Sequence, residues 1–586
     1  MKRIIYFFAF FIISFNCIAA KENTKLISFS DTSIRLFAQP YELVIDEIMA
    51  DPTPAVGLPN CEWIEIRNIS AHAIDLLNWK LAKPNSISGS MKSFILQPDS
   101  AIIICSSSSL NQLTIYGAAM SVTYFPSLSN SSDLIYLLSP EGKTIHAVDY
   151  SDTWYKNELK KQGGWTLEMI DLNNPCAGAE NWSASTASIG GTPGKINSID
   201  AINLDLSDPE LLRAYAIDSL QVMLVFNEPL DSAEAAMSSR YFVNNAIGYP
   251  LKVTVIQPIF NTVQLQLKYP IQKGIIYEIA VDGIKDCIGN VIENKNKSKF
   301  ALFQQLDSFD IIINEILFNP DFDGVDYVEV LNRSNKPLNL KNLYIANADF
   351  YGHVDNITKV SEKDILFFPG EYLLITENAY VIKRDFFTPF PERILQLNSL
   401  PSMNDDKGTL FLLNDNGKII DQLSYQYDWH FKLLNNVEGV SLERIDINAP
   451  TQNKENWHSA ATSVGYGTPT YKNSQNNISA FNNEQNIIID PLSISPNNDG
   501  LNDFLRINYS FKTPGYVANI NVFDQRGRFV RSVANNAVCG ISGFFTWDGL
   551  NQNGQQLPTG IYIICSDSFN LKGEIKKCKN AIVLKQ

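Results

Sequence analysis

Oxygen-bearing side chains near the C-terminus form the sequence pattern most typical of a bound ion. Asn497, Asp499 and Asp503 flank Gly500 in one short segment, and calcium loops gather carboxylate and amide oxygens around a glycine in this way. The segment lacks the full twelve-residue ligand set and the closing bidentate Glu. Two interpretations are therefore open: a calcium site, or a turn in which the Asn and Asp side chains accept hydrogen bonds from their own backbone. No other cofactor is predicted.

Two strand-like segments each carry an acid in the middle of an apolar run, Glu65 and Glu329. Acid–base catalysis needs a second positioned group, and no second polar group recurs beside either glutamate in the sequence. We therefore predict that each carboxylate is structural and accepts hydrogen bonds from neighbouring backbone or from a loop. The segment Asp321–Asp326, with three Asp around Gly324, is a second acidic turn of the same ambiguous kind as the first.

The histidines give little support for catalysis or for a transition-metal site. The sequence contains neither the Gly-x-Ser-x-Gly motif nor a phosphate-binding Gly-rich loop, and no two histidines have metal-ligand spacing. We predict that the protein is not an enzyme, and that Trp63, Trp165, Trp182 and Trp457 belong to cores rather than to sugar platforms. A hydrolase whose carboxylates are brought together only by folding is the alternative. The five histidines are His72, His146, His353, His430 and His458.

Length and composition indicate a string of globular domains. The chain has 586 residues, of which 45% are apolar and 19% charged, so several hydrophobic cores are expected. Tyr, Phe and runs of Val, Ile and Thr favour strands over helices. The net charge of −15 repels phosphate backbones, so nucleic-acid binding is not predicted.

The first twenty residues are predicted to be an export signal. Lys2 and Arg3 precede an apolar stretch that ends in the small residues Ala19 and Ala20, which is the pattern of a cleavable signal peptide. Residues 21–40 are interpreted as a linker. The mature chain has no apolar run long enough to span a bilayer, so we predict a secreted or cell-surface protein without a transmembrane segment.

Seven cysteines follow the predicted signal peptide, and their odd number and wide spacing exclude a disulfide framework. Cys565 and Cys578 fall on one predicted hairpin near the C-terminus. In an oxidising compartment these two thiols could pair.

A long internal repeat defines the organisation of the chain. An offset of 275 residues relates Leu167, Glu168 and Trp182 to their counterparts Leu442, Glu443 and Trp457. Alternating apolar and polar residues bounded by Asn, Gly, Pro and Asp predict half-buried antiparallel strands in both halves. The predicted fold class is all-β, with tandem Ig-like β-sandwich domains and one helical turn at 231–239. The predicted domains are copy 1 at 41–198, a middle module at 199–305, copy 2 at 306–475, a linker at 476–490 and a terminal module at 491–586.

The repeated unit resembles the lamin tail domain, an Ig-like β-sandwich. The resemblance rests on Ile45–Ile48 and Ile313–Ile316 as opening strands, and on Trp63–Asn68 and Tyr327–Asn332. The middle module resembles the surface-layer type of bacterial Ig-like domain, through Val225–Asp231 and the strand that begins at Tyr277. Such modules imply spacing or adhesion and no catalysis.

The terminal module resembles the C-terminal sorting domains of type IX secretion and the related hook-capping Ig-like fold. The matching segments are Ser495–Asp503, Val522–Gly527, Trp547–Gly549 and Leu557–Tyr562. The Lys-rich end around Lys576–Lys579 departs from the gliding-type pattern and leaves the sorting subtype open. The resemblance implies secretion and cell-surface attachment machinery as partners.

The sequence as a whole predicts a non-enzymatic secreted or cell-surface protein of the adhesin, scaffold or matrix-binding type. Its loops would present binding residues, since loops on a rigid scaffold usually carry them. Surface polysaccharide or other surface proteins are the predicted ligands. A carbohydrate-binding accessory protein and, less favoured, an extracellular hydrolase are the alternatives.

Overall fold

A computed structural model describes residues 38–476 and 486–585. The predicted signal peptide and almost all of the linker that follows it lie outside the described residues. Strand accounts for 39% of the structure and helix for 8%, which confirms the all-β prediction. Among the described elements the longest helix, Ala379–Asp385, has seven residues. None of the described helices is long and apolar enough to cross a bilayer.

The chain forms two compact units, one ending at Asp205 and including Gln257–Ile259, the other containing the remaining residues from Leu206. The first unit contains copy 1. Its main sheet has the order β12-β11-β1-β2-β7-β8, the facing sheet β10-β9-β4-β5, and β3 pairs with β6. The strands are β1 Leu43–Met49, β2 Trp63–Asn68, β3 Ile74–Asp75, β4 Lys80–Lys83, β5 Ser86–Ile87, β6 Ile95–Leu96, β7 Ala101–Cys105, β8 Ala119–Ser121, β9 Ser132–Leu138, β10 Thr144–Ser151, β11 Leu167–Met169 and β12 Trp182–Ala184, with helix α1 at Leu110–Leu113.

The middle module belongs to the second unit and forms two antiparallel sheets, β13-β14-β17-β16 and β15-β18-β19. Alternate side chains of these strands are buried between the sheets, as in Gln221–Phe226, which is the period expected of half-buried strands. The predicted helical turn at 231–239 is present as helix α2 at Ser232–Ala235. The strands are β13 Leu211–Ala216, β14 Gln221–Phe226, β15 Tyr241–Val243, β16 Lys252–Val255, β17 Thr262–Gln266, β18 Tyr277–Val281 and β19 Lys297–Phe300.

Copy 2 has the same strand order as copy 1. Its main sheet is β31-β30-β20-β21-β26-β27, its facing sheet is β29-β28-β23-β24, and β22 pairs with β25. Each strand therefore has the partner that its counterpart has in copy 1. The strands are β20 Ile311–Leu317, β21 Tyr327–Asn332, β22 Leu338–Asn339, β23 Leu343–Ala348, β24 Val354–Lys359, β25 Leu366–Phe367, β26 Tyr372–Thr376, β27 Ile394–Gln396, β28 Lys407–Asn414, β29 Ile419–Gln426, β30 Leu442–Arg444 and β31 Trp457–Ser459, with helix α3 at Ala379–Asp385.

The terminal module packs a three-stranded sheet, β32-β34-β37, against a five-stranded sheet, β33-β39-β38-β35-β36. Trp547 and Tyr562 fill its core, with ring centroids 5.7 Å apart. The strands are β32 Asn486–Asp490, β33 Ser493–Ile494, β34 Leu505–Ser510, β35 Tyr516–Asp524, β36 Phe529–Val538, β37 Ser542–Trp547, β38 Gly560–Asn570 and β39 Ile575–Leu584.

The tryptophans of the repeat are mainly core residues, as predicted. Trp63, Trp182 and Trp457 are at most 4% exposed, so their rings stabilise the sandwiches and are not available to a ligand. Trp165 is the exception, because it is only partly buried and the Lys160 ammonium lies 4.5 Å from its ring centroid.

Cys565 and Cys578 lie on one hairpin as predicted, but both thiols are free. In the register of β38 and β39, Cys565 lies opposite Lys579, whereas Cys578 lies opposite Ser566. Successive side chains of a strand point to opposite faces of the sheet, so the one-residue stagger places the two sulfurs on different faces. The predicted pairing of these two cysteines is therefore wrong.

Candidate functional site

Three buried glutamates meet on the main sheet of each copy. In copy 1, Glu47 is the cross-strand partner of both Glu65 and Glu168, and all three side chains are fully buried. A bulge in β1 between Ile45 and Glu47 sets this register. The sequence interpretation found only one acid in each copy, because the other two reach it from separate strands.

Copy 2 repeats the cluster with Glu315, Glu329 and Glu443. Glu315 is the partner of the other two across the sheet, again next to a bulge, between Ile313 and Glu315. All three are fully buried. The triad is thus a property of the repeated fold and does not belong to one copy alone.

In copy 1 the three carboxylates bind the segment that closes the sandwich, residues 191–198. Backbone N–H groups and hydroxyls of this segment donate to them, and the side chain of Asn197 donates in turn to the carbonyls of Asp46 and Met169. The bonds to the acids run from Thr192 N–H to Glu47 (2.7 Å), from Gly194 N–H to Glu65 (2.5 Å), and from the Thr192 and Ser198 hydroxyls to Glu168 (2.8 Å each).

The closing segment of copy 2, residues 467–475, is bound in the same manner. Glu315 accepts the most bonds, because Tyr327 and Ser441 also donate their hydroxyls to it, at 2.7 and 2.6 Å. The bonds from the closing segment run from Thr468 N–H (2.9 Å) and its hydroxyl (2.7 Å) to Glu315, from Thr470 N–H (2.5 Å) to Glu329, and from the Ser474 hydroxyl and Gln475 N–H (2.8 Å each) to Glu443.

Burial and mutual repulsion favour the protonated form of the central acid of each triad and of its neighbours Glu65, Glu329 and Glu443. Desolvation, with the charge of Glu168 beside it, raises the pKa of Glu47 to about 8. Desolvation and the neighbouring Glu315 likewise raise the pKa of Glu329 and of Glu443. Carboxyl groups this close cannot all ionise away from water, so the triads retain protons at neutral pH.

These contacts confirm the structural role predicted for Glu65 and Glu329, since each accepts a backbone N–H from a closing segment. A raised carboxyl pKa is a feature of active sites, but it also occurs in buried structural networks. Here the carboxylates are buried and bonded to the chain itself, so the arrangement fastens the end of each sandwich to its first strand.

The same bulge leaves a backbone N–H pointing inward, and the two copies satisfy it differently. In copy 1 the Ile45 N–H donates to His146 Nδ1 at 3.0 Å, and His146 Nε2 lies 3.1 Å from the Pro175 carbonyl. In copy 2 the Ile313 N–H donates to Asp421 at 2.8 Å. Burial lowers the pKa of His146 to about 4, so the ring is neutral, accepts at Nδ1 and donates from Nε2.

Replacing His146 by alanine is expected to destabilise copy 1 by about 2–4 kcal/mol, because it opens a cavity and leaves the Ile45 N–H without an acceptor. Thermal unfolding of the full chain, with hydrogen exchange at residues 43–49, measures the effect. His353→Ala is the matched control, since the side chain of His353 is 78% exposed. Equal exchange rates in the two variants would contradict the role given to His146.

The predicted calcium loop is an exposed turn bonded largely to itself. The Asp503 carboxylate accepts the N–H groups of Asn497 (3.1 Å), Asn498 (2.7 Å) and Gly500 (2.9 Å). Desolvation opposes ionisation of Asp503, but these backbone hydrogen bonds outweigh it and lower its pKa. Asn497 and Asp499 also bond each other, at 3.0 Å. The self-bonded turn is thus the geometry present, while calcium binding stays a prediction.

Asp503→Ala is expected to lower the melting temperature of the terminal module, because three backbone N–H groups lose their common acceptor. Asp499→Ala removes the acceptor of only one backbone N–H, that of Leu501, together with the exposed bond from the Asn497 side chain, and should have the smaller effect. Calcium titration of the wild-type chain by calorimetry completes the test. Heat of binding that is lost in Asp499→Ala would establish the calcium interpretation instead.

Two of the four segments that carry the resemblance of the terminal module, Val522–Gly527 and Leu557–Tyr562, contribute to the lining of one groove of about 640 Å³. Its walls are the turn 524–528, the loop 551–553 and the segment 557–562. The walls are fixed internally: Asp524 accepts from Arg528 Nε at 2.7 Å, and the Tyr562 hydroxyl donates to the Pro558 carbonyl at 2.9 Å. Most of the lining side chains are polar, and amide and guanidinium groups among them can donate to a ligand.

Family comparisons match the three modules that the sequence motifs singled out as repeats or as the terminal module. The Lamin Tail Domain model matches residues 38–152 and 305–427, which together contain the opening strands and the facing sheet of both copies. The CHU_C Type IX secretion signal domain model matches residues 487–583. No curated protein sequence matches the chain.

Solved structures give only distant similarities. The N-terminal part of the bacterial S-layer protein SbsC is 18% identical over 29% of this chain and 41% of its own length, with a TM-score of 0.16. The protein PorZ, a surface component of the type IX secretion system of Porphyromonas gingivalis, is 9% identical over 89% of this chain and 79% of its own, with a TM-score of 0.15. The chain thus spans less than half of the S-layer fragment, and TM-scores this low do not bear on function.

The secretion signal model indicates an extracellular or cell-surface location and implies a secretion machinery. The internal repeat and the matching strand orders relate the two copies, and the Lamin Tail Domain model matches part of each. Residues 38–152 and 305–427 are thus similar to lamin tail domains, and residues 487–583 are similar to a type IX secretion signal domain.

Proposed function

We propose that the protein is a non-enzymatic adhesin or scaffold of the cell surface, in which copy 2 presents the binding loop. The proposal is supported by one feature, the tip of the hairpin formed by β23 and β24. Phe350 and Tyr351 are 97% and 80% exposed there. Large aromatic side chains displayed in water are typical of recognition surfaces.

The tip is held in a single conformation by its own hydrogen bonds. Asp349 accepts the N–H groups of Tyr351 (2.9 Å) and His353 (2.8 Å), and Gly352 takes the positive φ that closes the turn. The rings of Phe350 and Tyr351 stand edge to face, 5.4 Å apart. A preorganised aromatic pair loses little conformational entropy when a ligand binds.

Copy 1 shows whether the aromatic tip of copy 2 is needed for folding of the sandwich. Its corresponding hairpin, between β4 and β5, turns through Pro84 and Asn85 and carries no aromatic residue at the turn. The same sandwich therefore forms without the aromatic tip. This supports assigning the tip to a ligand and not to stability.

The test replaces Phe350 and Tyr351 together by serine in the full chain and measures adhesion of cells to host or matrix surfaces. Loss of at least about tenfold is expected, since two exposed anchors of this kind contribute more than 1.4 kcal/mol to binding. Phe322→Ser, at a fully exposed phenylalanine elsewhere in copy 2, is the control. Unchanged adhesion at equal surface amounts would overturn the proposal.

A carbohydrate-binding accessory protein is the second candidate, because exposed aromatic rings also stack on sugar faces. Binding of purified surface polysaccharide by the wild type, lost in the serine variant, would select it over protein adhesion. A hydrolase is disfavoured by the internal bonding of the buried carboxylates of both copies.

We further propose that the terminal module directs export. Removing the chain after Asn486 is expected to retain the shortened protein in the periplasm, measured by fractionation and surface labelling. Normal surface display of the truncated protein would contradict the role of the module.

A further inference from the structure

Copy 2 covers one end of the outer face of the five-stranded sheet in the terminal module. Val517, Val538 and Phe569 lie side by side on β35, β36 and β38, and both valines are fully buried. Neither valine is part of the core of the terminal module; they pack instead against Phe431, with Leu433 and Leu434 beside it.

Polar contacts surround this apolar patch. The Val538 N–H donates to Thr462 Oγ1 at 3.0 Å, and the Ser463 and Tyr509 hydroxyls are hydrogen-bonded at 2.6 Å. The side chain of Gln475, itself fully buried, donates to the Cys539 carbonyl at 3.3 Å. Specific protein interfaces commonly have an apolar centre and hydrogen bonds around it.

The backbones also approach each other closely. The Ile541 N–H donates to the Ser474 carbonyl at 2.9 Å. A Cβ atom at Gly540 would lie 2.4 Å from that same oxygen, so this position of the interface requires glycine. The surfaces of copy 2 and of the terminal module are therefore complementary in shape at this position.

Copy 1 shows which residues belong to the interface and not to the lamin tail fold. The offset of 275 residues places Lys156 at the position of Phe431 and Glu158 at the position of Leu433. Both charged residues are exposed in copy 1. Phe431 and Leu433 are therefore apolar residues that the sandwich itself does not need, whereas Leu434 has an apolar counterpart in copy 1, Leu159.

We infer that copy 2 is a dedicated dock for the secretion signal domain, and that the domain remains bound to it after the connecting chain is cut. Cleavage alone would then not release the signal domain; the interface around Phe431 must also open. The export signal and the second lamin tail domain act as one body. This inference rests on the interface and is independent of the proposed adhesin function.

The experiment introduces a site-specific protease sequence into residues 477–485 of the full chain and cuts the purified protein. The C-terminal fragment is expected to co-elute with the remainder in gel filtration at about 1 µM, which requires a Kd below that concentration. Elution of two separate fragments would overturn the inference.

Two variants identify the surface. Phe431→Lys with Leu433→Glu places the copy 1 residues into copy 2, and Val538→Lys changes the opposite side. Each is expected to weaken retention at least tenfold, with unchanged melting of both modules because neither site lies in a module core. Lys432→Glu, at an exposed neighbour, is the control and should leave retention unchanged. Full retention in both interface variants would contradict the assignment of the apolar patch.

Discussion

Replacing Glu315 by alanine is expected to lower the free energy of unfolding of copy 2 by about 3–5 kcal/mol. Its carboxyl group accepts hydrogen bonds from the Tyr327 and Ser441 hydroxyls and from both the N–H and the hydroxyl of Thr468. Alanine removes this acceptor from the buried Tyr327 and Ser441 hydroxyls and from the Thr468 N–H, while the Thr468 hydroxyl keeps Glu443 as an acceptor. The closing segment should therefore detach first, and hydrogen exchange at residues 467–475 together with thermal unfolding of the full chain measures the loss.

Three further variants test whether the lost hydrogen bonds of Glu315 cause this loss of stability. Glu315→Gln keeps an oxygen acceptor and should cost clearly less than alanine. Glu47→Ala in copy 1 should also cost less, because the N–H of Thr192 and the hydroxyl of Thr166 are the donors that Glu47 serves. Glu438→Ala, at an exposed position, should be neutral. If Glu315→Ala were as stable as Glu438→Ala, the carboxylate would not fasten the sandwich.

The repeat could be predicted from the sequence because the residues that define it face a core or form a turn. The blocks around Leu167 and Leu442 align without a gap, and β11 and β30 form at those places. Period-two alternation is local information, so the strands and the all-β class follow from it directly.

Contacts that depend on strand register could not be predicted in the same way. Glu47 meets Glu65 only because a bulge shifts β1 by one residue, and a one-residue shift reverses which face a side chain occupies. The same sensitivity separates Cys565 from Cys578 on β38 and β39. One signal was available for the acids: Glu47 and Glu168, like Glu65, recur in the second copy.

The covering of the terminal module was also beyond the sequence. Phe431 and Leu433 are ordinary apolar residues in a β protein, and only their charged counterparts Lys156 and Glu158 distinguish them. The structure shows the role of these apolar residues. Val517 and Val538 pack against Phe431 and are not part of the core of their own module. Comparison between the copies is thus more informative than either copy alone.

Copy 1 is expected to become less stable as the pH rises from about 6.5 to about 8. The pKa of Glu47 is raised from 4.5 to about 8 in the folded chain, by desolvation and by Glu168, so the folded state retains a proton that the unfolded state releases above pH 4.5. The stabilisation is complete below pH 4.5 and is lost as the pH rises through the folded value. Each retained proton contributes a slope of about 1.4 kcal/mol per pH unit.

His146 has the opposite dependence, which sets the window of the measurement. Its pKa is lowered from 6.5 to about 4 by burial, so the stability it contributes is present above pH 6.5 and is lost as the pH falls towards 4. Above pH 6.5 the histidine contribution is constant, and the slope reports the carboxyl groups of the triad. Denaturant unfolding is measured at pH 6.5, 7.25 and 8, with hydrogen exchange at residues 191–198 as the local probe. The free energy of unfolding of copy 1 should fall by about 2 kcal/mol per retained proton across this range.

The pH dependence of the free energy of unfolding can be assigned to Glu47 only if it changes in a variant in which residue 47 no longer titrates. Glu47→Gln keeps an oxygen that can accept the Thr192 N–H, and it removes both the titrating proton and the repulsion that Glu47 exerts on Glu65. The variant should therefore lose the part of the pH dependence between 6.5 and 8 that Glu47 contributes, while its closing segment stays protected at the lower pH. Glu141→Gln, at an exposed turn of copy 1, should retain the wild-type slope. A slope that persists unchanged in Glu47→Gln would mean that the retained proton lies elsewhere in copy 1.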